Sequence, residues 1–197
     1  MADAHSDLKN LQDLLLKKSV KFGHFVLHSG QTSDVYVDCK PTTCNAVAMP
    51  LVGRLILQKI RARGWNPEAV GGLMVGAEPV AFAVARQSLD QPPPVDAFIV
   101  RKEAKAHGTQ KLVEGIDPMQ GRRVVVIDDV CTKGDSTALA IRNMQSVGMQ
   151  VLGAICLVDR EMGASDLLRR EFGLELESIF KLSELRANSG NALATVR

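Results

Sequence analysis

The sequence lacks the features of membrane, secreted and nucleic-acid-binding proteins. None of its apolar stretches approaches the ~18 residues that a membrane-spanning helix requires. Its polar first residues, MADAHSDLKN, do not form a secretory signal. A net charge of +2 is too small to favour a nucleic acid or a membrane surface as a partner. We expect one domain over residues 1–197, because a chain of this length with 46% hydrophobic residues can bury a sizeable core.

Cysteine is also scarce, and its spacing argues against a zinc site. The sequence contains no CxxC pair and no group of histidines near its four cysteines, which are Cys39, Cys44, Cys131 and Cys156. Structural zinc sites are normally built from such clusters. The sequence therefore favours free thiols in a reducing environment, and we expect a cytoplasmic location.

Apolar strand patterns alternate with helical patterns over most of the chain. The N-terminal part predicts a helix over 7–21, two short strands within 25–38 and a helix over 45–63. The remainder predicts strands over 69–75, 95–100, 124–127, 151–158 and 174–179, and helices over 79–88, 136–147 and 163–172. This alternation is typical of an α/β fold whose parallel sheet is covered by helices on both faces. Ligands of such sheets bind at the carboxyl ends of the strands.

The most informative segment is VVVIDDVCTKGDST, residues 124–137. An apolar strand ends in Asp128 and Asp129, and a short polar loop then opens a helix. Loop amides, hydroxyls and the positive end of a helix together form a good phosphate site, here from Thr132, Gly134, Ser136 and Thr137. Because the two acids are placed to accept hydrogen bonds from vicinal hydroxyls, the segment favours a ribose 5-phosphate. The alternative is a strand end that is acidic for other reasons, as in response regulators; no Walker A motif is present.

Three further segments follow predicted strands on the same side of the sheet. The loop RKEAKAHGTQKLVEG, 101–115, is either a solvated surface or a functional loop that neutralises a polyphosphate leaving group; its basic residues are Arg101, Lys102, Lys105, His107 and Lys111. The segment VGGLMVGAEP, 70–79, is either a tight strand–helix junction or a close approach to phosphate. Arg160, in LVDRE, is either a surface ion-pair partner or a ligand contact.

Taken in order, these segments resemble the orotate phosphoribosyltransferase family of the type I phosphoribosyltransferases. VVVIDDVCTKGDST resembles the signature for phosphoribosyl pyrophosphate (PRPP) that the wider class shares. RKEAKAHGTQKLVEG is similar to the mobile catalytic loop of the orotate enzymes, and VDRE to the segment whose arginine meets the orotate carboxylate. FGHFVLHSGQTSDVYVDC is similar to their hood over the pyrimidine. The resemblance implies a parallel sheet flanked by helices, with a small hood contributed mainly by residues 1–40.

The resemblance also implies an activity and a set of site residues. The reaction would transfer the 5-phosphoribosyl group from PRPP to orotate, giving orotidine 5′-monophosphate and pyrophosphate in UMP biosynthesis. The implied catalytic residues are Lys102, Lys105, His107, Asp128 and Asp129. PRPP would be bound by the same residues together with Arg101, Val130, Cys131, Thr132, Lys133, Gly134, Asp135 and Ser136. Orotate would be bound by Thr132 and Arg160.

Mg²⁺ is the cofactor that the resemblance implies, carried by PRPP and water with no direct protein site. It further implies a homodimer in which part of the 102–115 loop reaches the neighbouring active site. Two alternatives stay open, a related phosphoribosyltransferase that uses another base and a non-catalytic PRPP-binding regulator. The hood segment and Arg160 argue against the first, and the intact acids Asp128 and Asp129 argue against the second.

Three positions depart from the common pattern of the resembled family. His28 stands where the hood often has a lysine that reaches pyrophosphate. Gly76-Ala77-Glu78-Pro79 replaces a Tyr-Lys-Gly loop and resembles a Gly-Ala-Asp-Pro branch. Lys133 and Asp135 are less usual in the phosphate loop, and we expect Asp135 to point outward because a carboxylate facing phosphate is repelled.

Overall fold

The computed structural model describes residues 4–26, 30, 32–103, 112–118 and 120–194. The N-terminal part contains α1 (Ala4–Lys18), β1 (Val20–Val26), β2 (Thr32–Val37), α2 (Lys40–Thr43) and α3 (Ala48–Ala62). The remainder contains β3 (Ala69–Leu73), α4 (Ala77–Asp90), β4 (Asp96–Val100), β5 (Val113–Glu114), β6 (Arg123–Cys131), α5 (Asp135–Ser146), β7 (Gln150–Asp159), α6 (Ala164–Phe172), β8 (Leu176–Lys181) and α7 (Leu182–Ala194).

A six-stranded sheet forms the centre of the molecule, in the order β5-β4-β3-β6-β7-β8. Neighbouring strands are parallel except for β5, which pairs antiparallel with β4. The predicted α/β class and the predicted largely parallel sheet are thus confirmed. Because β3, β6 and β7 are parallel neighbours, their carboxyl ends lie at the same edge of the sheet.

Helices cover both faces of this sheet, and the alternation of β6 shows how the two cores divide. Val125 and Ile127 pack with side chains of α1, α3 and α4, including Leu15, Ile56 and Val84. Val124 and Val126 point to the opposite face, where they pack with side chains of α5 and α6 such as Ile141 and Leu168. The strand is therefore buried on both sides, which explains its continuous apolar sequence.

The N-terminal strands lie outside the main sheet. β1 and β2 pair antiparallel with each other; two strands were predicted in this part of the chain, but β1 begins at Val20, before the predicted start at residue 25. Helix α7, which the sequence did not predict, contacts both strands of this pair. Its Arg186 donates to Asp34 of β2 at 2.8 Å and lies 5.3 Å from the ring centroid of Phe22 of β1. The hood therefore contacts the C-terminal part of the chain.

Several element boundaries differ from those predicted. The first helix ends at Lys18, short of the predicted residue 21, because Val20 and the residues after it pair with β2. The next long helix begins at Ala48, later than the predicted residue 45, and the side chain of Asn45 accepts from the amides of Val47 and Ala48 just before it and at its start. The most consequential difference is in β6, which continues past the predicted end at Ile127 to Cys131.

No helix in the described part of the chain combines the length and apolar character needed to cross a bilayer. The four cysteines are free thiols, as predicted. Three of them are buried, at positions 39, 131 and 156, whereas Cys44 is exposed.

Candidate active site

A polar cavity of about 210 Å³ lies at the carboxyl end of β6. Its lining contains every residue predicted for PRPP from 128 to 136 except Asp129, namely Asp128, Val130, Cys131, Thr132, Lys133, Gly134, Asp135 and Ser136. The cavity is of a size for a phosphate and part of a ribose. Helix α5 begins at Asp135, so the unpaired amides of its first turn face this cavity.

Gly134 gives the phosphate loop its shape. Its φ of +88° lies in the left-handed region, which an L-residue with a side chain adopts only with strain. A Cβ at this position would also lie 3.1 Å from the Cα of Ala164. The loop therefore needs glycine both for its turn and for the close packing of α5 against α6.

Thr132, Lys133 and Ser136 have at least partly accessible side chains along the loop. Asp135 is exposed, in keeping with its predicted outward position, but it also lines the cavity. The adjacent Lys133 is exposed too and supplies a compensating charge near the loop.

Asp128 and Asp129 lie within β6, not beyond its end, and successive side chains of a strand point to opposite faces. Asp128 therefore faces α5, where Thr137 donates to its Oδ2 at 2.9 Å. Asp129 faces the β3–α4 loop, where a Cβ on Gly76 would overlap its carboxylate. The two acids meet different neighbours, a separation that the sequence did not predict.

The pKa of Asp128 is raised to about 7. Burial is the largest cause and the negative charge of Asp129 adds to it, whereas the hydrogen bond from Thr137 acts in the opposite direction. Near neutral pH this carboxyl thus lies close to its midpoint, a shift of the kind that is concentrated at functional sites.

The surroundings of Asp129 include residues that the sequence did not single out. Burial raises the pKa of the Cys39 thiol, and the charge of Asp129 adds to this. Burial acts to lower the pKa of Lys40, but the hydrogen bond to Asp38 and the charge of Asp129 raise it overall. Lys40 stands directly after the hood segment in the sequence, and this position could have identified it as a neighbour of the two acids.

The glycine-rich segment 70–79 divides into two parts. Gly71 and Gly72 lie in β3, where a side chain would overlap the backbone of Phe98 and Ile127 in the neighbouring strands. For these two positions the structural alternative, close packing, is right. Gly76 belongs to the site, because only a residue without a side chain leaves room for Asp129.

Arg160 follows β7 and lies beside the cavity. Its amide donates to the carbonyl of Cys131 at 2.8 Å, which fixes its backbone to the end of β6. Its Nε is buried and has no hydrogen-bond partner among the described residues. Asp34 of β2 has a lowered pKa, mainly through Arg186 and to a smaller extent through the charge of Arg160. Arg160 is therefore tied to the phosphate loop through its backbone, acts on the hood through its charge, and has one donor left without a partner among the described residues.

The basic loop is only partly within the described residues. Lys102 is exposed. Arg101 is half-buried, and its Nε donates to Glu114 at 2.6 Å, so part of its charge is already balanced. The predictions for His28, Lys105, His107 and Lys111 fall outside the described residues.

Thr137 corrects one prediction. The sequence placed its hydroxyl in the phosphate cradle together with those of Thr132 and Ser136. In the structure Thr137 is 1% exposed and its hydroxyl faces Asp128 and Cys131. The reason is helical geometry: Thr137 is the third residue of α5 and lies on the face that packs against β6.

Comparisons with known proteins identify the family of the chain. The model of the phosphoribosyl transferase domain family matches residues 46–174. An orotate phosphoribosyltransferase of Mycobacterium avium is 40% identical over 92% of this chain and 98% of its own, and one of Aquifex aeolicus is 39% identical over 90% and 96%. The crystal structure of Mycobacterium tuberculosis orotate phosphoribosyltransferase in complex with PRPP has a TM-score of 0.76 and 34% identity, covering 91% of this chain and 99% of that one. The chain belongs to the phosphoribosyltransferases, and within them to the orotate phosphoribosyltransferase family.

Proposed function

We propose that the protein transfers the 5-phosphoribosyl group from PRPP to orotate, forming orotidine 5′-monophosphate and pyrophosphate in pyrimidine biosynthesis. The observation that carries the proposal is the position of Arg160: its amide is bonded to Cys131 at the cavity, its charge acts on Asp34 of the hood, and its Nε has no hydrogen-bond partner among the described residues. A guanidinium there suits a planar carboxylate, and orotate differs from uracil by such a group.

The phosphate loop would hold the 5-phosphate of PRPP. The amides at the start of α5 and the hydroxyls of Thr132 and Ser136 supply donors around the cavity. Asp128 and Asp129 would accept hydrogen bonds from the ribose hydroxyls and offset the positive charge that develops near C1. Displacement at C1 through an oxocarbenium-like state needs no covalent nucleophile, so positioning and charge stabilisation supply the rate.

The leaving pyrophosphate would be neutralised by cations of the basic loop. Lys102 is exposed at the start of this loop, and we assign the same role to Lys105, His107 and the partly balanced Arg101. Such contacts matter most as charge builds on the leaving oxygen, so they act on the rate of transfer more than on orotate binding.

Mg²⁺ is the proposed cofactor. The described residues contain no group of three or more histidine, cysteine, aspartate or glutamate side chains arranged to hold a metal. The ion would be carried by the pyrophosphate and ribose oxygens of PRPP and by water, with no direct protein ligand, as suits a metal that keeps several of its waters. When bound, Mg²⁺ would neutralise charge on the pyrophosphate and ribose oxygens.

A homodimer with shared active sites is also part of the proposal. Phe82 and Leu89 are exposed and lie about two turns apart on one face of α4, the helix that follows the Gly76 loop. Exposed apolar side chains in this position support an interface between two copies next to the site.

Substrate profiling tests the proposed function. Purified protein is incubated with PRPP and Mg²⁺ and with orotate, uracil, adenine or hypoxanthine, and pyrophosphate release is measured for each base. We expect release with orotate and little with the others. Preference for another base would replace the proposed substrate, and no release with any base would favour the non-catalytic alternative.

A further inference from the structure

A buried hydrogen-bond network lies behind the cavity and connects Asp128 to Thr137 and Cys131. Thr137 donates to Asp128 Oδ2 at 2.9 Å, and its oxygen lies 3.1 Å from the sulfur of Cys131. Thr137 and Cys131 are each 1% exposed, so water does not compete for these bonds.

The direction of the network follows from proton counting. A hydroxyl has one proton, and an ionised carboxylate can only accept. When Asp128 is charged, the proton of Thr137 is committed to it, so the thiol of Cys131 must donate to the oxygen of Thr137. Burial and the hydrogen bond with Cys131 raise the pKa of the neighbouring Cys156 thiol.

We propose, on the basis of the proposed phosphoribosyl transfer, that Thr137 is a positioning residue whose buried hydroxyl fixes Asp128 for ribose binding. Thr137 does not line the cavity and so acts only through Asp128. Without its hydroxyl, one oxygen of Asp128 loses its side-chain donor. The carboxylate would then be held through its other oxygen, which accepts from the amide of Asp129 at 3.0 Å.

The charge of Asp128 depends on this bond because its other surroundings oppose ionisation. The negative charge of Asp129 on β6 raises the pKa of Asp128, as does burial. The thiols of Cys39, before α2, and Cys156, on β7, feel the charge of Asp128 but have raised pKa values and remain neutral. The charge of Lys40 on α2 interacts electrostatically with that of Asp129, which adds to the raised pKa of Lys40. Among these groups, Thr137 provides the side-chain hydrogen bond that favours the ionised form of Asp128 and so lowers its pKa.

Two variants separate the hydroxyl from the shape of the side chain. Thr137→Val keeps the volume and branching but removes the hydroxyl. Thr137→Ser keeps the hydroxyl and removes a methyl group. A role limited to packing predicts that the serine variant is the more affected, whereas the proposed role predicts the reverse.

The first measurement is the pH profile of kcat/KM for PRPP, which reports ionisations of the free enzyme. We expect the acidic limb of Thr137→Val to move to higher pH by about one unit, with much of the activity recovered at alkaline pH. Thr137→Ser should keep the wild-type limb. PRPP's own ionisation is the same in all three profiles and cancels in the comparison. An unshifted limb in Thr137→Val, or equal shifts in both variants, would overturn the proposal.

The second measurement does not depend on turnover. The ¹³C carboxyl signal of Asp128 is titrated by NMR in protein labelled at aspartate, with the signal assigned by its loss in Asp128→Asn. Its midpoint should rise in Thr137→Val and stay in place in Thr137→Ser. That result in a protein without orotate turnover would refute the proposed function yet support control of Asp128 by Thr137. An unchanged midpoint in Thr137→Val would refute the positioning role whatever the activity.

Discussion

At the scale of single residues, the two adjacent acids are unequal because a strand turns neighbouring side chains to opposite faces. Asp128 is held by Thr137 and has its pKa raised to about 7, whereas Asp129 lies against the loop of Gly76. Sequence inspection predicted that both acids belong to the site. It could not assign their neighbours, because it ended the strand at Ile127 and so did not place the acids on its faces.

The raised pKa of Asp128 has a consequence for stability. A carboxyl whose pKa is higher in the folded than in the unfolded state favours folding when protonated, so its contribution is lost as pH rises from about 4 to about 7. We therefore expect Asp128→Asn to gain melting temperature relative to wild type at pH 8 but not at pH 4.5. Thermal unfolding at both pH values checks this. If the melting temperatures of Asp128→Asn and wild type differed equally at both pH values, Asp128 would not carry an unfavourable charge in the folded protein.

Arg160 provides a test of base recognition. Arg160→Ala would remove the proposed charge-assisted bidentate contact with the orotate carboxylate, which should cost roughly 1.5–3 kcal/mol in orotate binding and much less in PRPP binding. The KM values for both substrates measure this difference. Arg169→Ala is a matched control, since Arg169 is an exposed arginine on α6 whose ion pairs within the described part of the chain, with Asp166 and Glu175, are long. Equal effects of Arg160→Ala on the two substrates would assign Arg160 a structural role.

At the scale of elements, the phosphate loop depends on how closely α5 approaches α6. A methyl group at residue 134 would be 3.1 Å from Ala164, on a backbone with φ of +88°. We expect Gly134→Ala to lower stability by about 1–2 kcal/mol through the strained backbone and also to raise the KM for PRPP by displacing the loop.

Gly64→Ala is the control for this prediction. Gly64 also has a positive φ, of +70°, but a Cβ at this position would meet no atom of the described residues within 4 Å beyond its chain neighbours. It precedes β3, at the end of the sheet away from the site. The variant should lose stability without a change in the KM for PRPP. A wild-type KM in Gly134→Ala would mean that the loop does not need the close approach to α6.

Elements with strong periodicity could be predicted, and those defined by tertiary contacts could not. The apolar strands at Ala69, Val124 and Val151 were predicted because their burial on both faces gives continuous apolar runs. β5 is only two residues long and is defined by its pairing with β4. α7 has a weak apolar pattern; it is stabilised by contacts such as the amide of Ser183 donating to Glu161 at 2.9 Å.

At the scale of the whole molecule, the proposed shared active site predicts complementation between two inactive variants. Lys105→Ala and Asp128→Asn homodimers should both be nearly inactive. If the loop of one subunit completes the site of the other, a mixed dimer has one active site with both substitutions and one active site with neither. Mixing and reassembly should therefore restore activity. Activity of the mixture, with hybrid formation checked by native mass spectrometry, tests this. Hybrids without recovered activity would show that the loop serves its own subunit.

The central claim is that this cavity and Arg160 together carry out phosphoribosyl transfer to orotate. The most direct measurement follows the ultraviolet absorbance of orotate in the presence of PRPP and Mg²⁺, with wild-type protein and with a folded Asp128→Asn, Asp129→Asn double variant. We predict that orotate is consumed by the wild-type protein, with one pyrophosphate released per orotate, and that the double variant is nearly inactive. No orotate consumption by the wild type, or similar turnover by the double variant, would contradict the account.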